Sequence, residues 1–343
     1  MGYHSGTTTL VGIVAVVAAS AALAVAQSVF APIAFAVFII AIVWPLQRVL
    51  QARVPAMAAL AASIVAIVLV IGAMVGLVVW SGGHVGQWLI ANAGRFQVLY
   101  AEADAWLEGH GFLLAGMVAD HFDARWALRF VQDMSSRLQS LSSFVVVTVV
   151  FVILGLLEVG AVQGQLRRLG RQEAGDYMLR AGAQIASKLQ RYMAVRTVMS
   201  IGTGAVVWAV TLAAGMELAA AWGMLAFVLN YIPFVGPFVA TLLPTLFALV
   251  QFESWRMALF VFVCLNVVQF LSGSYLEPRI AGARLQVSPF LVLFAVFFWA
   301  FLWGVPGAFI GVPILIAGLT LCASHPSSRW IAELCSGRDP DKA

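Results

Sequence analysis

The chain contains 343 residues, of which 62% are hydrophobic and only 10% are charged, and its mean hydropathy is +0.98. Soluble domains usually carry about 25% charged residues, so this composition excludes a water-soluble globule and predicts an integral membrane protein. The formal net charge of +4 is small for a chain of this length. None of the three cysteines belongs to a CxxC pair, and the five histidines lie outside the apolar runs. The sequence therefore predicts neither a disulfide framework nor a metal site.

The apolar runs predict the number of membrane spans, because one helical span needs about 20 apolar residues. Six runs have about this length: 9–27, 29–45, 57–80, 143–160, 198–216 and 256–274. Two longer runs, 219–251 and 288–322, carry Pro and Gly near their middle. No Lys or Arg precedes the first run, which is typical of a span and not of a secretory signal peptide. The chain is predicted to be an all-α integral membrane protein with about eight transmembrane segments.

Two polar segments separate the apolar runs. In the first, 81–142, the apolar residues Phe130, Met134, Leu138 and Leu141 are spaced by 4, 4 and 3 positions. This spacing places them on one face of a helix, so the segment is predicted to lie on the membrane or on the spans as an amphipathic element. The second segment, 161–197, is strongly basic. It predicts a cytoplasmic region attracted to anionic lipid, and no nucleic-acid site.

The distribution of Lys and Arg predicts the orientation of the chain. Most of these residues fall in segments that lie on the inner side if the N-terminus is inside, so both termini are predicted to be cytoplasmic. Five parts follow from this arrangement: three N-terminal spans in 1–80, an extracytoplasmic amphipathic segment in 81–142, a fourth span and basic cytoplasmic segment in 143–197, a transport core in 198–322 and a cytoplasmic tail in 323–343.

The breaks in the two long runs resemble each other, with IPFVGPFVATLLP in the first and VPGAFIGVPIL in the second. Each long run is predicted to be a broken hairpin, either re-entrant or a pair of short tilted spans. A span plus broken hairpin, repeated with opposite orientation, is an inverted repeat of the kind that builds many secondary transporters. The alternative is that the prolines only kink packed helices. The predicted substrate or ion pathway residues are Asn230, Pro233, Gly236, Pro237, Gly304, Pro306 and Gly307.

A second group of polar residues lies in 266–279, where a span leads to the second hairpin. Glu277 and Arg279 flank Pro278, and they are predicted to form a gate or coupling pair, or else an interfacial salt bridge. Asn266 and Gln269 are three positions apart on the preceding span and share a helix face. They are candidates for the pathway, with bonding to a neighbouring helix as the alternative.

Motifs of enzymatic chemistry are missing from the sequence. It contains no HExxH, no Walker A sequence and no nucleophile elbow, so neither an enzyme nor a cofactor is predicted. The apolar runs also carry no Asp, Glu, Lys or Arg in their middle. Oxygens of Asn, Ser and the backbone remain available for Na⁺ or for a neutral polar solute.

Three C-terminal motifs occur in the order LNYIPFVGPFVATLLP, SYLEPRIAGARLQVSP and WGVPGAFIGVPIL, and IAIVWPLQRVLQARVP precedes them. In these motifs the chain resembles the autoinducer-2 exporter (AI-2E) family, also described as PerM-like permeases. The resemblance implies a polytopic transporter of the bacterial inner membrane and a homo-oligomer. Activities named for the family are export of the signal autoinducer-2 and Na⁺(Li⁺)/H⁺ antiport. Many members carry a Gly-Gln pair around the position of Val195–Arg196, where this sequence departs from the pattern.

Residues and resemblance together predict a secondary transporter that exports a small polar solute, such as an autoinducer-2-like signal, by alternating access. The first alternative is a Na⁺(Li⁺)/H⁺ antiporter, which would need a titrating group and would show pH-dependent flux. The second is a membrane scaffold without transport, which would use 81–142 as its docking surface. The predicted partners are the solute, an ion, the lipid bilayer and further copies of the chain.

Overall fold

The computed structural model describes residues 3–109, 125–168, 172–281 and 287–335, and within these ranges it contains helices and no strand. The long helices are α1 (Tyr3–Val25), α2 (Gln27–Gln51), α3 (Ala56–Ala91), α4 (Ala93–Gly109), α5 (Arg125–Arg168), α6 (Gln172–Ala213), α7 (Ala219–Leu229), α8 (Val235–Phe252), α9 (Trp255–Phe270) and α11 (Pro289–Ser324). A π-helix, Leu271–Leu276, leads into the short helix α10 (Glu277–Ala281), and α12 (Arg329–Cys335) ends the described chain. The predicted all-α fold is confirmed.

The described helices also confirm the membrane class. Seven of them contain a stretch long and apolar enough to cross a bilayer: Gln27–Gln51, Ala56–Ala91, Gln139–Leu166, Gly175–Ala213, Val235–Phe252, Trp255–Leu276 and Pro289–Ser324. Two shorter apolar helices, Leu10–Val25 and Ala219–Leu229, accompany them. Together these helices agree with a multi-pass protein of about eight segments. Ala219–Leu229 and Val235–Phe252 lie in the first predicted broken run, and Pro289–Ser324 lies in the second.

The chain divides into two compact units. The first comprises Met1–Ala66, Phe144–Met193 and Ala283–Ala343, and the second comprises Ile67–Ser143 and Ala194–Gly282. The hairpin of the run 219–251 belongs to the second unit, and that of 288–322 belongs to the first. The helices α3, α5 and α6 each contribute to both units, because each is long enough to continue from one into the other.

The first unit is held together by side chains from α2, α5, α6 and α11. The ring of Phe35 packs against Phe144 at 5.1 Å and against Phe309 at 5.7 Å between centroids. Such aromatic pairs add about 0.5–1.5 kcal/mol each to the free energy gained by burial. The amide Nε2 of Gln190 donates to the carbonyl of Ile42 (2.7 Å), so α6 is fixed to α2 by a polar contact inside an apolar unit.

Helix α11 folds back on itself at Gly304. The backbone there has φ 64° and ψ −142°, which lies close to a region that only glycine occupies readily. A Cβ added at Gly311 would lie 2.8 Å from the carbonyl oxygen of Ala295, and one added at Gly307 would overlap the carbonyl oxygen of Trp299. In a continuous helix, residues 295 and 311 would be about 24 Å apart. The two halves of α11 are therefore antiparallel, as the prediction of a broken hairpin requires.

Gly304→Ala is expected to destabilise the protein by about 1–3 kcal/mol, because a side chain is strained at this φ. The cost would come from conformation alone, since an added Cβ meets no atom within 4 Å. Gly318→Ala, in the same helix with equally open surroundings, is the matched control and should be neutral or stabilising by about 0.5–1 kcal/mol. Thermal unfolding in detergent measures both variants, and equal melting temperatures would contradict the strain.

The second unit has an aromatic core built from α3, α7 and α8. The ring of Phe247 packs against Trp88 (4.0 Å between centroids) and Trp222 (5.2 Å). Helices α6 and α7 cross where Gly204 meets Gly223, because a Cβ on either one would approach the carbonyl of the other within 2.9 Å. Small residues at such a crossing allow the two backbones to touch.

Polar contacts at one end of the second unit attach α3 and α4 to it. The indole of Trp88 donates to Glu217 (2.7 Å), the backbone N–H of Glu217 donates to Gln251 (3.1 Å), and Arg95 lies 3.6 Å from Glu253. The described start of the segment 81–142 is thus helical and packed on its own unit. The predicted amphipathic face is carried by Phe130, Met134 and Leu138. Their side chains are not among those that the structure describes.

Candidate functional site

One face of α6 carries a row of buried polar side chains in the second unit. Arg196, Ser200 and Thr203 follow one another at spacings of 4 and 3, which places them on the same side of the helix. The exposed fractions of the three whole residues are 7%, 0% and 2%. A buried polar group costs free energy unless it has a hydrogen-bond partner, so this face must be matched by other polar groups.

The first hairpin supplies two of those partners. Helix α7 ends at Leu229, and the next residues turn towards α6. The amide Nδ2 of Asn230 donates to the hydroxyl of Ser200 (3.2 Å), and the hydroxyl of Tyr231 donates to that of Thr197 (3.0 Å). Asn230 and Tyr231 are both buried. The predicted pathway residue Asn230 therefore lies in a polar network, at the point where the apolar run breaks.

Two prolines of this hairpin, Pro233 and Pro237, occupy positions where they break few hydrogen bonds. Pro233 lies in the turn and Pro237 in the first turn of α8, where backbone N–H groups lack intrahelical partners in any case. The N–H of Val235 donates to the carbonyl of Pro233 (2.7 Å) across Phe234, whose φ is 63° and ψ −52°. This three-residue γ-turn is of the rare, strained type. Gly236 then packs directly on the carbonyl oxygen of Leu229, with no space for a Cβ.

The π-helix and α10 complete the network from the other side. The hydroxyl of Thr203 bonds with that of Ser272, and the backbone N–H of Glu277 donates to the carbonyl of Ser272, five residues earlier. This wide turn brings the Glu277 carboxylate to Arg196, with 3.1 Å between Oε2 and Nη1. The Arg196 side chain is 9% exposed and that of Glu277 is 27% exposed. π-helical turns occur frequently at functional sites, because they realign the side chains that follow.

The remaining predicted residues lie outside this network. Arg279, predicted to act with Glu277, stacks over the ring of Tyr275 at 4.6 Å, and Glu277 pairs with Arg196. Asn266 is exposed and donates to the carbonyl of Phe262 on its own helix, and Gln269 is partly buried on the same helix. Gly304, Pro306 and Gly307 lie at the fold-back of α11 in the first unit. Their participation in a pathway stays a prediction.

None of the α6 residues in the network is among the site residues predicted from the sequence. Arg196 belongs to the basic segment 161–197, which is predicted to be a cytoplasmic region attracted to anionic lipid, but the structure buries this residue. Ser200 and Thr203 lie in an apolar run, where a single Ser or Thr does not by itself predict a functional site. The spacing of Arg196, Ser200 and Thr203 is the available signal, because three polar residues on one face of an apolar helix predict a matching polar surface.

The fold and the network define a polytopic helical membrane protein with a polar, ion-paired cluster at a broken hairpin. A family model described as AI-2E family transporter matches residues 12–324. The chain belongs to this family, which confirms the resemblance seen in the C-terminal motifs.

Three curated relatives are named as transport proteins. A putative transport protein of Haemophilus influenzae is 26% identical over 331 residues, which cover 93% of each chain. The AI-2 transport protein TqsA of Escherichia coli K12 is 30% identical over 199 residues, 58% of this chain and 57% of the relative. A putative transport protein of Borreliella burgdorferi is 31% identical over 176 residues, 51% and 48%. The alignment thus spans about half the length of the last two relatives.

Proposed function

We propose that this chain is a secondary transporter that exports a small polar solute across the bacterial inner membrane by alternating access. The observation that carries the proposal is the buried polar network of the second unit, which joins Arg196 and Glu277 to the broken hairpin at Asn230. Purely apolar packing would fold a helical bundle without such groups, and each buried polar residue costs stability unless it is partnered. Polar groups at membrane depth typically mark a solute or ion pathway.

The chemistry of the network favours a small solute rich in hydroxyl or carbonyl groups. Its neutral members are hydroxyls and one amide, which both donate and accept hydrogen bonds. A solute of the autoinducer-2 type, a small polyhydroxylated molecule, would exchange its hydrogen bonds with water for bonds with these groups. The name of the Escherichia coli relative, AI-2 transport protein, supports this choice of solute.

Three further features belong to the proposal. Both termini are cytoplasmic, since Lys and Arg concentrate on the inner segments. The working form is a homo-oligomer embedded in the bilayer, as the resemblance implies. The pathway includes Gly304, Pro306 and Gly307 of the second hairpin, where the non-helical backbone at Gly304 frees carbonyls that can face a solute.

Flux through the purified protein in proteoliposomes tests the function. Vesicles are loaded with autoinducer-2, and the external signal is measured over time against protein-free vesicles, with Na⁺ and pH gradients imposed in separate sets. Efflux that requires the protein supports the exporter. Proton movement that depends on Na⁺ or Li⁺, without efflux of the signal, would favour the antiporter. Vesicles without flux of the signal, of Na⁺ or of protons would favour the scaffold.

A further inference from the structure

Among the residues that the structure describes, the buried network contains one cationic and one anionic side chain, so their charges balance without a bound ion. Its two ionised side chains, Arg196 and Glu277, pair with each other, and its other described members carry hydroxyl or amide groups: Thr197, Ser200, Thr203, Asn230, Tyr231 and Ser272. The guanidinium is the more deeply buried partner, and the carboxylate is three times as exposed (27% against 9%). The positive charge is therefore fixed by the protein, while the negative charge stays partly accessible.

Without the guanidinium, the Glu277 carboxylate would lack its counter-charge in a network whose other side chains carry the hydroxyl and amide groups that a small hard cation accepts as ligands. Such cations prefer carboxylate, hydroxyl and amide oxygens. Glu277 follows Ser272 by one turn of the π-helix. The hydroxyl of Ser272 forms a hydrogen bond with that of Thr203. Arg196 lies on the same face of α6 as Thr203 and points its Nη1 at the carboxylate. Its charge thus lies where a monovalent cation would balance Glu277.

We propose that Arg196 is a tethered cation that takes the place of a bound Na⁺ or Li⁺ in the network. A guanidinium stays protonated over the accessible pH range and cannot dissociate from the chain. Glu277 is therefore neutralised permanently, and the site does not need an ion from solution. Its consequence for flux rests on the proposed function: export by this protein does not depend on a Na⁺ gradient.

The role of Arg196 is distinct from that of a simple structural link. A buried ion pair contributes little net stability, because desolvation of the two charges offsets their attraction. Apolar residues of similar size would hold α6 to α10 as well, so stability alone gives no reason for the pair. A tethered cation gives that reason, because it predicts that a free cation can replace the side chain when the side chain is removed.

Ion binding is tested by thermal unfolding of the purified full chain in detergent, in equal concentrations of NaCl, LiCl and choline chloride. The wild-type melting temperature should be the same in all three salts. Arg196→Gln should melt about 3 °C or more higher in NaCl or LiCl than in choline chloride, because a ligand that binds only the folded state stabilises it. Arg196→Lys keeps a tethered charge and should not respond. The double variant Arg196→Gln/Glu277→Gln lacks the carboxylate and should not respond either.

Each result decides the proposal without any transport measurement. A wild-type protein that Na⁺ or Li⁺ stabilises would overturn it, and so would an Arg196→Gln variant that folds but ignores both ions. An Arg196→Gln variant that is monodisperse only with Na⁺ or Li⁺ would support it, whereas one that aggregates in every salt would refute it. Absence of flux from proteoliposomes would refute the proposed function and leave these melting results intact.

Discussion

Glu277→Gln is expected to abolish transport while leaving the protein folded. Gln has nearly the same shape as Glu, and its amide oxygen can still accept a hydrogen bond from Arg196, so the helix contacts persist. The charge is lost, however, and a buried guanidinium then lacks its counter-ion. Flux in proteoliposomes should therefore fall to the level of protein-free vesicles.

The matched control for this variant is Glu333→Gln. Glu333 also pairs with an arginine, Arg329, at 2.9 Å, but both side chains are largely exposed (70% for Arg329 and 65% for Glu333). Exposed pairs contribute about 0–1 kcal/mol, so the same chemical change should leave flux and melting temperature nearly unaltered. Wild-type flux in Glu277→Gln would remove this carboxylate from the transport mechanism. A variant that elutes as an aggregate would instead assign the pair a structural role.

Gly236→Ala is expected to cause the largest loss of stability among single-methyl changes in the first hairpin. A Cβ at this position overlaps the carbonyl oxygen of Leu229 and lies 2.6 Å from its carbon. Backbone atoms cannot rotate away as a flexible side chain can, so the end of α7 and the start of α8 would have to separate. The expected cost is about 3 kcal/mol or more, which is at the upper end for overpacking. Thermal unfolding in detergent and the yield of monodisperse protein measure it.

Gly202→Ala is the matched control in the same unit. Gly202 lies in α6, is exposed, and an added Cβ would meet no atom within 4 Å. Replacing a helical Gly with Ala there should stabilise the protein by about 0.5–1 kcal/mol. The two variants should therefore shift the melting temperature in opposite directions. If Gly236→Ala melts as the wild type does, the close contact with Leu229 is not required by the fold.

The breaks of both hairpins are predictable from the sequence because their causes are local. Proline lacks an N–H group, and glycine alone reaches certain backbone angles without strain, so these residues mark interruptions wherever they occur together. Gly304 has a φ of 64°, and Pro233 lies in the turn before α8. Asn230 is likewise predictable, because it is a polar residue at the break in an apolar run.

The partners of the polar residues could not be predicted in the same way. Glu277 lies two positions from Arg279 in the sequence, and this proximity predicts Arg279 as its partner. In the structure Glu277 pairs instead with Arg196, 81 residues away. Asn266 and Gln269 lie on α9, the helix that precedes the π-helix of the network, where Asn266 is exposed and Gln269 only partly buried. Which face of a helix meets another depends on how the helices are rotated and how closely they approach, as at the Gly204–Gly223 crossing.

By itself, therefore, the sequence determined the membrane class, the helices and the positions at which they break, because run length, charge and backbone chemistry act within a few residues. The tertiary structure alone decided that α6 presents a polar face to the first hairpin. It alone decided that Arg196 balances Glu277. The physical reason is that ion pairs and hydrogen bonds between helices depend on distance in space, which one sequence does not contain.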